Sequence, residues 1–210
     1  MFLLLCVLIG YAIGCIQTSY IMGKLLKGID IREHGSGNAG MTNTFRVLGT
    51  KAGITVFVVD FLKAALAYYI CALLFGGSGT FLPVGAAAGV MPGLCAGAGV
   101  TLGHNFTFYL KFKGGKGFAS ILGMTLMLDW RVAVISYGIV AVIVVFTRYI
   151  SLSALVMTLL APFLLWAFGH DLTVCLIFVF LTAMTWVLHR ENIARLLKGT
   201  ENKFSLRRRK

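Results

Sequence analysis

Charge is what this sequence has least of. Of its 210 residues 12% are charged, seven of them acidic, while 59% are hydrophobic. A soluble domain of this length usually carries about twice that charged share. The mean hydropathy of +0.90 excludes a disordered chain and argues against a soluble enzyme. The apolar runs do not alternate with polar residues, which excludes a transmembrane barrel. The five cysteines, at 6, 15, 71, 95 and 175, form no CxxC pair, so neither disulfides nor a metal site is expected. There is no GxSxG elbow, no HxxxxD spacing and no acidic cluster of metal-ligand type, so neither a serine hydrolase nor a metal-dependent phosphotransferase is supported. No basic leader precedes Phe2-Leu3-Leu4-Leu5, so the first apolar run is expected to remain as a span.

What is present is a series of seven apolar runs, at about 2–23, 53–75, 81–103, 117–129, 132–147, 152–168 and 172–188. Runs of roughly 20 residues are long enough to cross a bilayer. Residues 1–210 therefore read as a single polytopic domain, an all-α integral membrane bundle of seven helices. Run 117–129 is short enough to be re-entrant or strongly tilted. With the N-terminus outside and the C-terminus in the cytoplasm, 17 of the 19 lysines and arginines lie inside, leaving Arg131 outside and Lys63 within a span. In this setting the net charge of +12 marks the cytoplasmic face rather than a nucleic-acid surface. The outer turns, around Gly76-Gly77-Ser78-Gly79 and Gly169-His170-Asp171, are too short to hold a site, so the chemistry is expected to face the cytoplasm.

Three polar constellations fall on that face. Gly35-Ser36-Gly37-Asn38-Ala39-Gly40-Met41-Thr42-Asn43-Thr44-Phe45-Arg46 combines glycines that free the backbone amides, neutral donors at Thr42 and Asn43, and an arginine fork suited to phosphate. A helix starting near Thr42 would add free N–H groups, whereas a plain interhelical loop is the alternative. Gly103-His104-Asn105-Phe106 and Lys111-Phe112-Lys113-Gly114-Gly115-Lys116-Gly117 suggest a second phosphate cradle. The latter is not a nucleotide P-loop, because the spacing fails and Phe118 stands where a magnesium-binding hydroxyl belongs. Lys111 and Lys113 suit anionic lipid as well as a ligand, and Lys116 is the stronger ligand candidate. His189-Arg190-Glu191-Asn192 can supply an acid–base group and a hydrogen-bonding amide, with Glu191 equally able to be a structural partner for nearby cations. Ile193, Leu196 and Leu197 then suit a short amphipathic surface helix, and Leu206-Arg207-Arg208-Arg209-Lys210 a solvated anchor.

Asp60 and Lys63 share one face of the second span, where charges are costly. They fit a functional pair or a structural clamp. Ser151 and Ser153 follow Arg148 at an inner interface and fit helix caps or ligand contacts.

Taken in order, GSGNAGMTN with Arg46, GHNF…KFKGGKGFAS and HRENIARLLKGTENK resemble the bacterial PlsY family of acyl-phosphate:glycerol-3-phosphate acyltransferases over almost the whole chain. The sequence departs from the family pattern at Ala39 and Met41, so neither side chain is expected to be a ligand. The resemblance implies a seven-helix membrane fold. It also implies transfer of a fatty acyl group from acyl phosphate to the 1-hydroxyl of glycerol 3-phosphate, giving lysophosphatidic acid and phosphate at the first step of phospholipid synthesis. No cofactor or metal is implied, and the enzyme would work in the bacterial inner membrane on these two substrates and membrane lipid. It places His189, Asn192 and Ser36 near the reacting groups. Arg46, Lys116, Asn43, Thr42, Gly40, Gly114, Gly115 and His104 fall with the substrate phosphates, and Glu191 in a structural position. The Asp60–Lys63 pair also resembles the family's second span, which assigns it no role, and it reads as structural on its own pairing. An acyl phosphate is already activated, so no covalent nucleophile is required, and Ser36 more naturally donates a hydrogen bond to phosphate. The proton acceptor is His189 or a substrate phosphate oxygen. A transporter for a phosphorylated small molecule is the alternative. It would carry polar residues along a pathway and often inverted repeats, neither of which is found.

Overall fold

The computed structural model describes residues 1–76 and 90–204. Among the described residues there are ten α-helices and no strand: α1 (Phe2–Gly14), α2 (Thr18–Lys27), α3 (Met41–Leu48), α4 (Thr50–Phe75), α5 (Val90–Asn105), α6 (Phe118–Leu128), α7 (Trp130–Thr147), α8 (Ile150–Ala167), α9 (Leu172–Leu188) and α10 (Arg190–Leu197). Each expected apolar run is helical over most of its described length, the first with a break at Cys15–Gln17. The start of run 81–103, most of the turn at 76–79 and the anchor 206–210 lie outside the described residues. By length and hydropathy, four described helical segments suffice to cross a membrane, or five when α9 and α10, bent by 63°, count as one.

Glycine sets the tightest packing. A Cβ at Gly10 or Gly14 of α1 would lie 2.1 or 2.2 Å from the carbonyl oxygens of Ala96 and Val100, and one at Gly99 or Gly103 of α5 would lie 2.3 or 2.1 Å from those of Val7 and Tyr11. Two small-xxx-small stripes thus face each other, so α1 and α5 meet backbone to backbone, the contact expected where lipid rather than water surrounds the helices. Gly123 of α6 lies equally close to the Phe61 carbonyl of α4. The 11-residue α6, roughly 16 Å long, is too short to cross an upright bilayer core and is buried along Ser120–Thr125 within the bundle.

The first run is not one continuous helix. It breaks at Cys15–Gln17, inside apolar sequence, and the break is tolerable because its carbonyls find donors. Lys63 Nζ donates to the carbonyls of Gly14 (3.2 Å) and Ile16 (3.0 Å), and the Tyr109 hydroxyl to that of Cys15 (2.7 Å). At the opposite end of the bundle Asp129 N-caps α7, pairs with Arg131 (2.6 Å) and meets buried His170 Nε2 (3.0 Å), pinning the α6–α7 turn to the α8–α9 turn.

Candidate active site

The first constellation folds into a loop that delivers a helix start. Gly35 (φ +64°) and Gly37 (φ +72°) occupy left-handed backbone that favours glycine. Asn43 sits beneath them. Its Oδ1 accepts the Ser36 N–H (2.8 Å), while its Nδ2 donates to the carbonyls of Ile31 (3.0 Å) and His34 (2.9 Å). Fully buried and away from the cavity described below, Asn43 is a strut of the loop and not the phosphate ligand the sequence suggested. Gly40 caps α3, whose first turn begins at Met41, one residue before the expected Thr42. Ser36, Gly40, Thr42 and Arg46 all line the cavity.

The second constellation is corrected more deeply. Gly114 and Gly115 donate their N–H groups to the carbonyls of Asn105 (3.0 Å) and His104 (2.9 Å), closing the end of α5. A Cβ on Gly114 would lie 2.0 Å from the His104 carbonyl, and one on Gly115 2.0 Å from His104 Nε2. These glycines exist for close packing and do not cradle phosphate, because their amides are already committed and neither residue reaches the cavity. Buried Gln17, from the α1–α2 break, adds hydrogen bonds to the His104 carbonyl and to Thr107 Oγ1 (2.6 Å). Arg32 joins this loop to the first: it pairs with Asp30 (2.7 Å) and donates to the Leu110 carbonyl (2.8 Å). Lys116 alone of this segment's lysines lines the cavity, donating to Asn192 Oδ1.

The third constellation sits at the bend between α9 and α10. His189 is buried, and its Nδ1 lies 2.8 Å from the Thr185 carbonyl. A carbonyl only accepts, so Nδ1 carries the proton and Nε2 is the ring's acceptor. Asn192 bridges, taking the Lys116 hydrogen bond on its oxygen and donating its Nδ2 to Glu201 Oε1 (2.8 Å). Glu201 also accepts from Ser151 Oγ (3.0 Å) and Arg195 Nε (2.8 Å). Glu191, expected to be structural, has a side chain 71% exposed and only a 3.9 Å approach to Arg195, so the structural carboxylate here is buried Glu201. Sequence reasoning missed it: Glu201 lies past the last helix, and its partners come from α8 and α10. The tail then continues to Phe204, whose N–H donates to the Arg148 carbonyl (2.7 Å) and whose ring packs edge-on against Phe45 of α3 (5.1 Å).

Asp60 and Lys63 form the expected pair (2.8 Å), with Thr18 Oγ1 on Asp60 (3.3 Å) and His104 Nδ1 on Lys63 (3.0 Å). Lys63 therefore acts as a clamp on the α1–α2 break. Asp60 and His104 also line the cavity, His104 with Nδ1 already engaged by Lys63.

All three constellations open on one cavity of about 760 Å³. Its polar end holds Ser36, Arg46, Lys116, His189, Asn192 and Arg195, and Ser151 and Ser153 contribute lining residues rather than side-chain caps of α8. Its apolar end runs between α4 and α7, lined by Phe57, Phe61, Phe118, Leu122, Tyr137 and Val144. Burial, reinforced by repulsion from Arg195, pulls Lys116 down to about 8. Burial and the charge on Lys116 pull His189 down to about 4, so at neutral pH its ring is uncharged. The site thus offers cations held in partly desolvated surroundings beside a neutral hydrogen-bond acceptor, with an apolar extension. That arrangement suits an anionic head joined to a long apolar tail.

Comparison with known proteins gives the same answer from whole-chain similarity. The glycerol-3-phosphate acyltransferase family matches residues 4–199. The chain is 37% identical over 203 residues to the glycerol-3-phosphate acyltransferase of Thermoanaerobacter sp. (strain X514), covering 97% of this chain and 96% of that one. It is 40% identical over 203 residues to that of Alkaliphilus metalliredigens, covering 95% of each. Crystal structures of PlsY, an integral membrane glycerol 3-phosphate acyltransferase, superpose with TM-scores of 0.83 for the glycerol 3-phosphate form and 0.80 for the lysophosphatidic acid form. They share 35% and 34% identity with this chain, covering 97% of it and 96% of the PlsY chain in each case. With similarity running through all three constellations and nearly end to end, the chain belongs to the glycerol-3-phosphate acyltransferase family.

Proposed function

We propose that the protein transfers a fatty acyl group from acyl phosphate to the 1-hydroxyl of glycerol 3-phosphate. The observation that carries this reading is the two-ended cavity, whose cationic end joins three separate motifs and whose other end is a lipid-compatible groove. Both substrates bring a phosphate to the first end, and only the donor brings a chain for the second.

In this reading Arg46, Lys116 and the first turn of α3 hold the substrate phosphates, with Ser36 and Thr42 as neutral donors. The glycerol oxygen attacks the acyl carbonyl carbon, the new ester C–O bond forms, and the anhydride C–O bond to phosphate breaks. The hydroxyl proton ends on the departing phosphate, which balances the step without a covalent enzyme intermediate. His189, with a folded-state value of about 4, is too weak a base to keep that proton. Its Nε2 orients the hydroxyl, and a phosphate oxygen takes the proton. Asn192, held by Glu201, keeps Lys116 in place. Catalysis then rests on positioning and on cationic stabilisation of the oxyanion and leaving phosphate.

The charge distribution supports a bacterial inner-membrane location with the N-terminus outside and the site facing the cytoplasm. Purified protein given acyl phosphate and glycerol 3-phosphate should release lysophosphatidic acid and phosphate in equal amounts; no acyl transfer from acyl phosphate would refute the activity. Cysteines introduced at Asn38 and Lys198 should resist an impermeant thiol reagent until cells are permeabilised. Labelling of both in intact cells would reverse the orientation.

A further inference from the structure

The apolar end of the cavity has walls that meet. α4 and α7 both pack on α6 and stand on either side of the groove. Along α4 the cavity is lined at Ile54, Phe57 and Phe61, and along α7 at Val144, Ala141 and Tyr137, stepping inward one turn at a time from the end that carries the polar site. The deepest of these, Phe61 and Tyr137, each lie about three turns, roughly 15 Å, from that end of their helix. There the two walls touch: the rings stand edge-on with centroids 6.4 Å apart. The pair is fixed from behind. The Tyr137 hydroxyl donates to the Leu122 carbonyl (2.7 Å), and Gly123 admits the Phe61 backbone so closely that a Cβ would come within 2.1 Å of its oxygen. A hydroxyl tethered to a helix carbonyl keeps its ring from swinging aside. α7 is otherwise a peripheral helix, buried only at Val132, Ala133 and Ser136, so a groove along it would run out into lipid without such a stop.

We propose that the Phe61–Tyr137 pair is the floor of the acyl groove and sets the length of acyl chain the enzyme prefers. This rests on the acyltransferase reading above. A donor whose tail reaches the floor packs against the groove walls at every carbon, a gain of up to about fourfold in binding per methylene for a tail drawn from water. A longer tail must bend or leave the groove and gains no further. Removing the floor lengthens the preferred chain. Filling the groove one turn nearer the polar end, at exposed Ala141, shortens it by ~5.4 Å. That equals about four methylenes of an extended chain whose ~1.5 Å bonds each advance about 1.25 Å.

The test measures kcat/KM of the purified full-length protein for a ladder of saturated acyl phosphates, with labelled glycerol 3-phosphate as acceptor. Tyr137→Ala and Phe61→Leu should move the optimum to longer chains, and Ala141→Phe to chains about four carbons shorter by the pitch argument. Tyr137→Phe, which keeps the ring, should hold the optimum while broadening it. Should Tyr137→Ala fail to fold, Ala141→Phe, at an exposed position on the groove wall, carries the test alone. An active wild type whose profile is unmoved by these substitutions, or whose rates fall equally at every length, would overturn the floor, because the tail would then lie in the bilayer. A wild type inactive with every donor would instead overturn the acyltransferase reading.

Discussion

Lys116 gives the sharpest test of the polar site, because its charge is predicted to be lost within an accessible pH range. Burial and Arg195 lower it from 10.5 to about 8, and Asn192 Oδ1 is the acceptor that holds it. A phosphate ester with a second ionisation near 6 is already about nine-tenths dianionic at pH 7, so the substrate's own titration adds little over the range tested. Above pH 8 the empty site loses its Lys116 charge, and substrate affinity should fall up to about tenfold per pH unit. The decline ends once the lost charge-assisted contact, on the order of 1.5–3 kcal/mol or roughly 13- to 160-fold, is fully forfeited. The sign for stability is opposite. The folded chain holds this proton less tightly than the unfolded chain, so between about pH 8 and 10.5 the Lys116 contribution makes the fold more stable as pH rises. The assay is KM for glycerol 3-phosphate and for acyl phosphate from pH 7 to 9.5, with the melting temperature followed in parallel. Lys116→Met should raise KM by that full factor at pH 7 and flatten the profile. Lys116→Arg, charged throughout, should flatten it while keeping part of the affinity. A wild-type KM for both substrates that stays constant to pH 9.5, or a Lys116→Met enzyme with unchanged KM for both, would refute the phosphate role of this lysine.

Lys63→Met should cost about 3–5 kcal/mol, because it strands buried Asp60 and frees two carbonyls at the α1–α2 break, while Asp60→Asn with Lys63→Met should recover part of that loss. Thermal unfolding in detergent reads both, and a loss under ~1 kcal/mol for the single variant would contradict the clamp. Glu201→Ala removes the acceptor shared by Ser151, Asn192 and Arg195 and should cost about 2–3 kcal/mol together with most of the activity, whereas Glu191→Ala should keep wild-type stability within about 0.5 kcal/mol. His189→Ala should lower kcat more than it raises KM. Because His189 stays neutral down to about pH 4, wild-type kcat should show no His189 titration between pH 6 and 8, and its contribution to stability should be lost only as pH falls from 6.5 through that value. An inflection near pH 6.5 that disappears in His189→Ala would refute the neutral-ring reading. No acyl-enzyme should accumulate with labelled acyl phosphate alone, and a stoichiometric adduct that glycerol 3-phosphate chases into product would replace single displacement with a covalent route.

The class of protein, its helical runs and the positions of the polar constellations were legible in the sequence, because hydropathy and charge act residue by residue through transfer from water to lipid. Arg46, Lys116, His189 and Asn192 could be picked out on the same ground, as cations and hydrogen-bonding groups crowded at interfaces between apolar runs. What each polar residue does with its hydrogen bonds was not legible. Asn43 and Arg46 stand three residues apart in one motif, yet one is turned under its own loop and the other into the cavity. Gly114 and Gly115 have the composition of a phosphate loop, but their amides belong to the end of α5, a choice made by the fit of His104 and Gln17 against them. The break after Gly14 has no local breaker strong enough to predict it, and it exists because Lys63 and Tyr109, distant in sequence, supply donors to its carbonyls. Glu201 took its role from Ser151, 50 residues earlier. Local chemistry determined which residues were candidates; long-range packing, through close backbone approach and the requirement that buried polar groups be paired, decided which of them face the substrate cavity.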